Sequence, residues 1–140
     1  MNNDVRDLAN MIYGEVGSLD KDAMIMVGST AVNRLKSGKA QEFGGSMRDV
    51  LQKGYYAISN PNIMTKQALS GKFPDDNSAN KYKLAITVAS GLMKGGIKPT
   101  EGHFYFTDNE INKLKKNPKA FNFRAVKKIG KVNKYTVYGY

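Results

Sequence analysis

Residues 8–15 read Leu-Ala-Asn-Met-Ile-Tyr-Gly-Glu and carry a carboxylate, Glu15, to the end of an apolar helical run. A negative charge in the last turn of a helix faces the negative end of the macrodipole, at a cost of about 0.3–1 kcal/mol. Ile12, Tyr13 and Val16 beside it would desolvate the same charge. Both effects favour the protonated carboxyl. An acid kept neutral near pH 7 can protonate a leaving oxygen and, once ionised, accept a proton in return. The octapeptide alone also fits an ordinary surface glutamate at a frayed helix end.

The elements that must hold this carboxyl can be read from periodicity and caps. Val5, Leu8, Ile12 and Val16 recur at helical spacing, with Asp4 as the expected cap and Gly17 as the expected stop. A second helix is predicted from Asp20, with Met24, Val27, Ala31 and Leu35 on one stripe and Gly38 beyond it. Residues 37–45 read as a loop. Ser46 and Asp49 suggest a capping box for a short helix ending at Gly54. Residues 54–62 combine turn chemistry with Tyr55 and Tyr56, which serve either as the rim of a cleft or as packing under a loop. A short helix over 63–70, a loop over 71–77 and a strong helix over 78–94 follow. His103 to Phe106 reads as extended, and Thr107 with Glu110 as a second capping box, opening a helix that stops before Pro118. The tail from Phe123 to Tyr140 reads as a small hairpin with Gly130 at its turn. The expected architecture is a single α+β domain spanning 1–140, mostly helical, with a small C-terminal β-hairpin.

Composition narrows the chemistry. The chain has 140 residues and no cysteine, which excludes disulfides, thiolate zinc sites and a cysteine nucleophile. The lone His103 has no metal-ligand constellation around it, so no metal and no cofactor are expected. No apolar stretch is long enough to span a bilayer. The first residues, Met-Asn-Asn-Asp-Val-Arg-Asp, lack the pattern of a secretory leader, so action outside a cell would need another delivery route. The net charge of +10 points to an anionic partner or surface, and nine cations cluster between Lys113 and Lys134.

With these elements in order, the chain resembles the SleB-type cell wall hydrolases, the family of spore-cortex-lytic enzymes and related phage lysins. The resemblance rests on Leu8 to Glu15, with its Tyr13-Gly14-Glu15 ending, and on Val27 to Leu35, with its Asn33-Arg34 pair. Weaker agreement runs through Tyr55-Tyr56, Ala85 to Leu92, Phe104 to Phe106 and the tail. The loop after Gly54 and the lysine-rich tail depart from the family pattern.

What the resemblance implies is a lysozyme-like domain cutting peptidoglycan between N-acetylmuramic acid and N-acetylglucosamine, with Glu15 catalytic. The product would be a 1,6-anhydromuramoyl end, as in lytic transglycosylases. We expect glycan contacts from Tyr13, Tyr55, Tyr56, Asn60 and Tyr105. Asn33 and Arg34 are expected to make structural hydrogen bonds. A hydrolytic muramidase would need a second carboxylate, for which Asp108, Glu101 and Glu42 are the candidates. The expected partners are glycan strands and the anionic wall surface, met by a monomer at the bacterial cell wall. A phage origin or another delivery factor would bring it there. Two readings from other classes are a basic nucleic-acid-binding domain and a protein that binds glycan without cutting it.

Overall fold

The computed structural model of the protein describes residues 2–16 and 18–140. In chain order these form α1 (Asn3–Glu15), α2 (Lys21–Lys36), the single turn α3 (Ala40–Phe43), α4 (Met47–Gly54), the single turn α5 (Tyr56–Ser59), α6 (Ile63–Ser70) and α7 (Asp76–Lys94). Then come β1 (Phe104–Thr107), α8 (Asp108–Lys115), a 3-10 turn at Phe123–Ala125, β2 (Lys127–Val132) and β3 (Tyr135–Gly139). The molecule is α+β and mostly helical, as expected.

Side-chain caps start most of the helices. Asp20, Ser46, Asn62, Asp75 and Thr107 each accept from the backbone N–H three residues on, an interaction of about 1 kcal/mol. α1 differs from expectation. Asn2 caps it instead of Asp4, its Oδ1 accepting from the Val5 N–H at 2.9 Å, and Asp4 falls in the first turn where its charge suits the dipole. The expected stop, Gly17, lies outside the described residues. Two segments read as loops contain the helical turns α3 and α5, each too short for periodicity to reveal. α3 forms because it buries Phe43 against the aromatic rings of His103 and Phe104.

α1 is the centre of the core, packed against α2, α4, α6 and α7. Val5, Leu8, Ile12 and Val16 are buried as their spacing predicts, and so are Ala9, Met11 and Tyr13. A helix covered on nearly every side belongs in the middle of a bundle. Each of its large aliphatic side chains contributes about 1.5–3 kcal/mol by leaving water. The buried Asn10 is satisfied by the Tyr82 hydroxyl, which donates to its Oδ1 at 2.7 Å.

Gly14 lets α6 seat against this helix. The Asn62 amide donates to the Gly14 carbonyl at 3.0 Å, and a Cβ on Gly14 would lie 2.3 Å from Thr65 Oγ1 and 3.1 Å from Ala57 Cβ. Thr65 is itself pinned, its hydroxyl donating to Asn62 Oδ1. Gly14→Ala would gain about 1 kcal/mol of helix propensity. The overpacking penalty of about 1–3 kcal/mol outweighs it, so urea unfolding should show a net loss of stability. A stabilised variant would show that the helices can separate freely here.

The tail forms the expected hairpin, with two corrections. Its turn is at Asn133, which takes a left-handed φ of 55°, a conformation asparagine tolerates well. Gly130 instead adjoins a bulge: Lys128 pairs with Tyr138 and Gly130 with Val137, leaving Ile129 unpaired between them. The hairpin also does not stand alone. β1 pairs antiparallel with β3, Phe104 opposite Tyr138 and Thr107 opposite Tyr135, so the sheet order is β1-β3-β2.

Candidate active site

α1 delivers Glu15 to the edge of this sheet, where β1, β3, α8 and the chain around Tyr55 enclose a pocket of about 280 Å³. Its walls are aromatic. Tyr105 and Val137 share one sheet face with Thr107 and Tyr135, because paired residues and their second neighbours point the same way. Tyr105 meets Tyr135 edge-on at 5.3 Å between ring centres and lies over Tyr55 at 6.4 Å. Tyr55 is buried beneath, its hydroxyl bonded to Thr30 Oγ1 at 2.6 Å. Tyr56, 73% exposed, stands at the rim.

Burial holds the Glu15 carboxyl above its ordinary value near 4.5. The Tyr105 hydroxyl, a donor to the charged form, and the Arg34 guanidinium pull it down, while the Glu110 carboxylate pushes it further up. Desolvation is the largest of these influences, so the proton is retained to higher pH than on a free glutamate. The Tyr105 hydroxyl is itself held far above its ordinary value, first by burial and then by Glu15, and so stays a donor.

Of the residues expected at a glycan site, Glu15, Tyr55, Tyr56 and Tyr105 are brought together. Tyr13 is not. It is fully buried, edge-on to Phe73 and Tyr82, with its hydroxyl donating to Gln67 at 2.8 Å. Two residues along a helix is a rotation of about 200°, so a side chain two before Glu15 points away from the sheet. Asn60 lies outside the pocket and reaches it indirectly, its amide donating to the Tyr56 hydroxyl.

Asn33 and Arg34 make the structural bonds expected of them. Asn33 donates to the carbonyls of Thr100 and Gly102, both at 2.8 Å. Arg34 Nε donates to the His103 carbonyl at 2.7 Å, and its guanidinium lies 4.7 Å from the Tyr55 ring centre and 5.0 Å from that of Phe104. Arg34 thereby ties α2 to β1 and also lines the pocket.

None of the three candidates for a second carboxylate lines the pocket. Asp108 pairs with Lys131 at 3.8 Å, Glu42 accepts from the Tyr140 hydroxyl, and Glu101 lies on the far side near Asn33. The second carboxylate is Glu110, read from sequence only as half of a capping box. That box is present: Glu110 Oε1 accepts from the Thr107 N–H at 2.9 Å and hydroxyl at 3.0 Å. Tyr135 and Thr107 were likewise legible only as strand and cap. No sequence signal joins β1 to β3, and that pairing creates the wall.

Glu110→Gln isolates the charge, because glutamine also serves at this position of a capping box. Removing a like charge lowers the Glu15 pKa, so the alkaline limb of any pH–rate profile should move to lower pH while the fold is kept. An unmoved limb would show that the two carboxyls do not interact.

A larger pocket, about 480 Å³, lies along the N-terminal half of α1 among Arg6, Asp7, Asn10 and Arg48. Among the described residues, no group of three His, Asp or Glu is placed to hold a metal, and no helix is long and apolar enough to cross a membrane. Comparisons with protein-family models, curated proteins and solved structures found no match.

Proposed function

We propose that the protein cleaves the glycan strand of peptidoglycan between N-acetylmuramic acid and N-acetylglucosamine, with Glu15 as general acid and then general base. The observation that carries this reading is a helix-terminal carboxyl whose hold on its proton burial strengthens, in an open pocket walled by tyrosines. Sugar rings stack well on such walls, which offer flat apolar faces with polar edges.

In the proposed reaction the Glu15 carboxyl donates its proton to the glycosidic oxygen. The C1–O bond breaks with its electron pair going to that oxygen, leaving positive charge shared between C1 and the ring oxygen. The Glu15 carboxylate then removes the proton of the muramoyl 6-hydroxyl, whose oxygen bonds to C1 and closes a 1,6-anhydro ring. The acid is regenerated and no water is consumed. Glu110, an anion fixed by its two bonds to Thr107, supports the Glu15 proton before cleavage and the sugar's positive charge during it.

Glu110 also favours a second reading. A hydrolytic muramidase needs a second carboxylate at the sugar, and Glu110 lines the same pocket as Glu15. The test is the chemistry of the released ends, since an anhydro end is lighter by one water than a reducing end.

A further inference from the structure

Charge is distributed unevenly along this chain. Residues 111–140 contain nine of the 22 lysines and arginines and no aspartate or glutamate, whereas residues 1–110 carry thirteen cations against all twelve acids. Nearly the whole net charge of +10 therefore resides in the last 30 residues.

These cations sit on the C-terminal elements, and four of them converge on the outer face of the sheet: Lys115 and Arg124 line one groove with Phe121 and Phe123, and Lys128 and Lys131 pair with Tyr138 and Thr136. Lys113 and Lys115 lie on α8, Lys116 at its end, Lys119 and Arg124 in the connection, Lys127, Lys128 and Lys131 on β2, and Lys134 in the hairpin turn. All nine are exposed. Phe121 and Phe123 hold the connection against the outer face of the sheet, packing on Phe104, Phe106 and Tyr138 at 5.0–6.2 Å between ring centres. Among the described residues only Lys131 of the nine has an ion-pair partner, Asp108. Lysines on an unpaired edge strand do deter edge-to-edge association. That accounts for the three on β2 and not for the other six.

We infer that this surface docks an anionic sugar- or polyol-phosphate polymer carried by the wall, holding the enzyme beside its glycan. The choice of that polymer over nucleic acid rests on the proposed function, and three observations support it. The surface borders the pocket, since α8 carries Glu110 and Lys134 is next to Tyr135. Eight of the nine cations are lysines, compact point charges suited to a flexible polyanion, where bidentate base and phosphate recognition favours arginine. The nearby phenylalanines are packed against one another, leaving no row of free aromatic faces for bases.

The test uses full-length Glu15→Gln protein, so that binding is read without cleavage. With linear poly(glycerol phosphate) as probe, four or five phosphate contacts predict an affinity falling roughly 50- to 100-fold between 50 and 200 mM salt. Changing Lys115, Lys119 and Arg124 together to Gln should flatten the slope of log affinity against log salt by up to about 2. Wall retaining its phosphate polymer should hold the protein more tightly than wall stripped of it. The triple substitution in otherwise native protein should leave cleavage of a short soluble glycan unchanged. Equal binding to stripped and unstripped wall would overturn the inference, as would duplex DNA binding at least tenfold tighter than the probe. Failure of glycan cleavage by native protein would instead overturn the proposed function, and the two failures are read in separate assays.

Discussion

Glu15→Gln is expected to lower the rate of glycan-strand cleavage by about 10²- to 10⁴-fold, the usual contribution of a positioned general acid and base. Glutamine keeps the shape and can accept from Tyr105, but it has no proton to give to a leaving oxygen. The same substitution should leave the protein folded and should stabilise it at neutral pH. Glu15 binds its proton more tightly in the folded chain than in the unfolded one, because burial disfavours its charge. Stability is therefore highest where both states are protonated, and it falls as pH rises from the ordinary 4.5 through the raised folded value. A glutamine, which does not titrate, removes that fall. Thermal melts of the two proteins should converge near pH 4 and separate toward pH 7, with the variant the more stable. Lost cleavage with unchanged melts would place the carboxyl in water; retained cleavage would end its catalytic assignment.

Arg34→Ala is expected to cost about 3–5 kcal/mol, a large share of the roughly 5–15 kcal/mol that holds a domain of this size together. Several losses combine. The charged bond to the His103 carbonyl disappears, the weaker one to the Gly54 carbonyl at 3.4 Å goes with it, and the guanidinium leaves the rings of Tyr55, Phe104 and Phe43. The side chain is only 8% exposed, so its removal also opens a cavity where α2, α4 and β1 meet. Arg34→Lys should recover part of the loss, because a lysine keeps charge but lacks the planar fork. Denaturant unfolding measures both; a loss below about 1 kcal/mol for the alanine variant would mean that Arg34 does not join helix and sheet.

Much of this architecture was legible from local chemistry. Helices with a side-chain cap and a clear stripe, such as α2 from Asp20 and α8 from Thr107, begin where the caps place them. The short turns α3 and α5 were not legible, since four residues complete no hydrophobic period and fold there only because Phe43 and Ala57 are buried by distant partners. The site divides in the same way. Glu15 could be recognised from its helix, because its environment is partly made by its own neighbours in sequence. Tyr135 could not, because it comes beside Tyr105 only through the β1-β3 pairing, a contact with no local signature, and Glu110 could not, because its capping-box spacing does not say which element α8 faces. Tyr13 failed for a geometric reason: nearness in sequence to a helix-end carboxyl does not mean nearness in direction.

If Glu15 cuts a glycan strand by internal transfer to the muramoyl 6-hydroxyl, every cut leaves an anhydro end. The most direct test is mass spectrometry of fragments released from purified peptidoglycan. The expected products are disaccharide-containing fragments ending in 1,6-anhydro-N-acetylmuramic acid, lighter by one water than reducing ends and absent with Glu15→Gln. Reducing muramic ends would contradict the transglycosylase reaction and make Glu110 part of a hydrolytic pair, and release of free peptides alone would contradict glycan cleavage altogether.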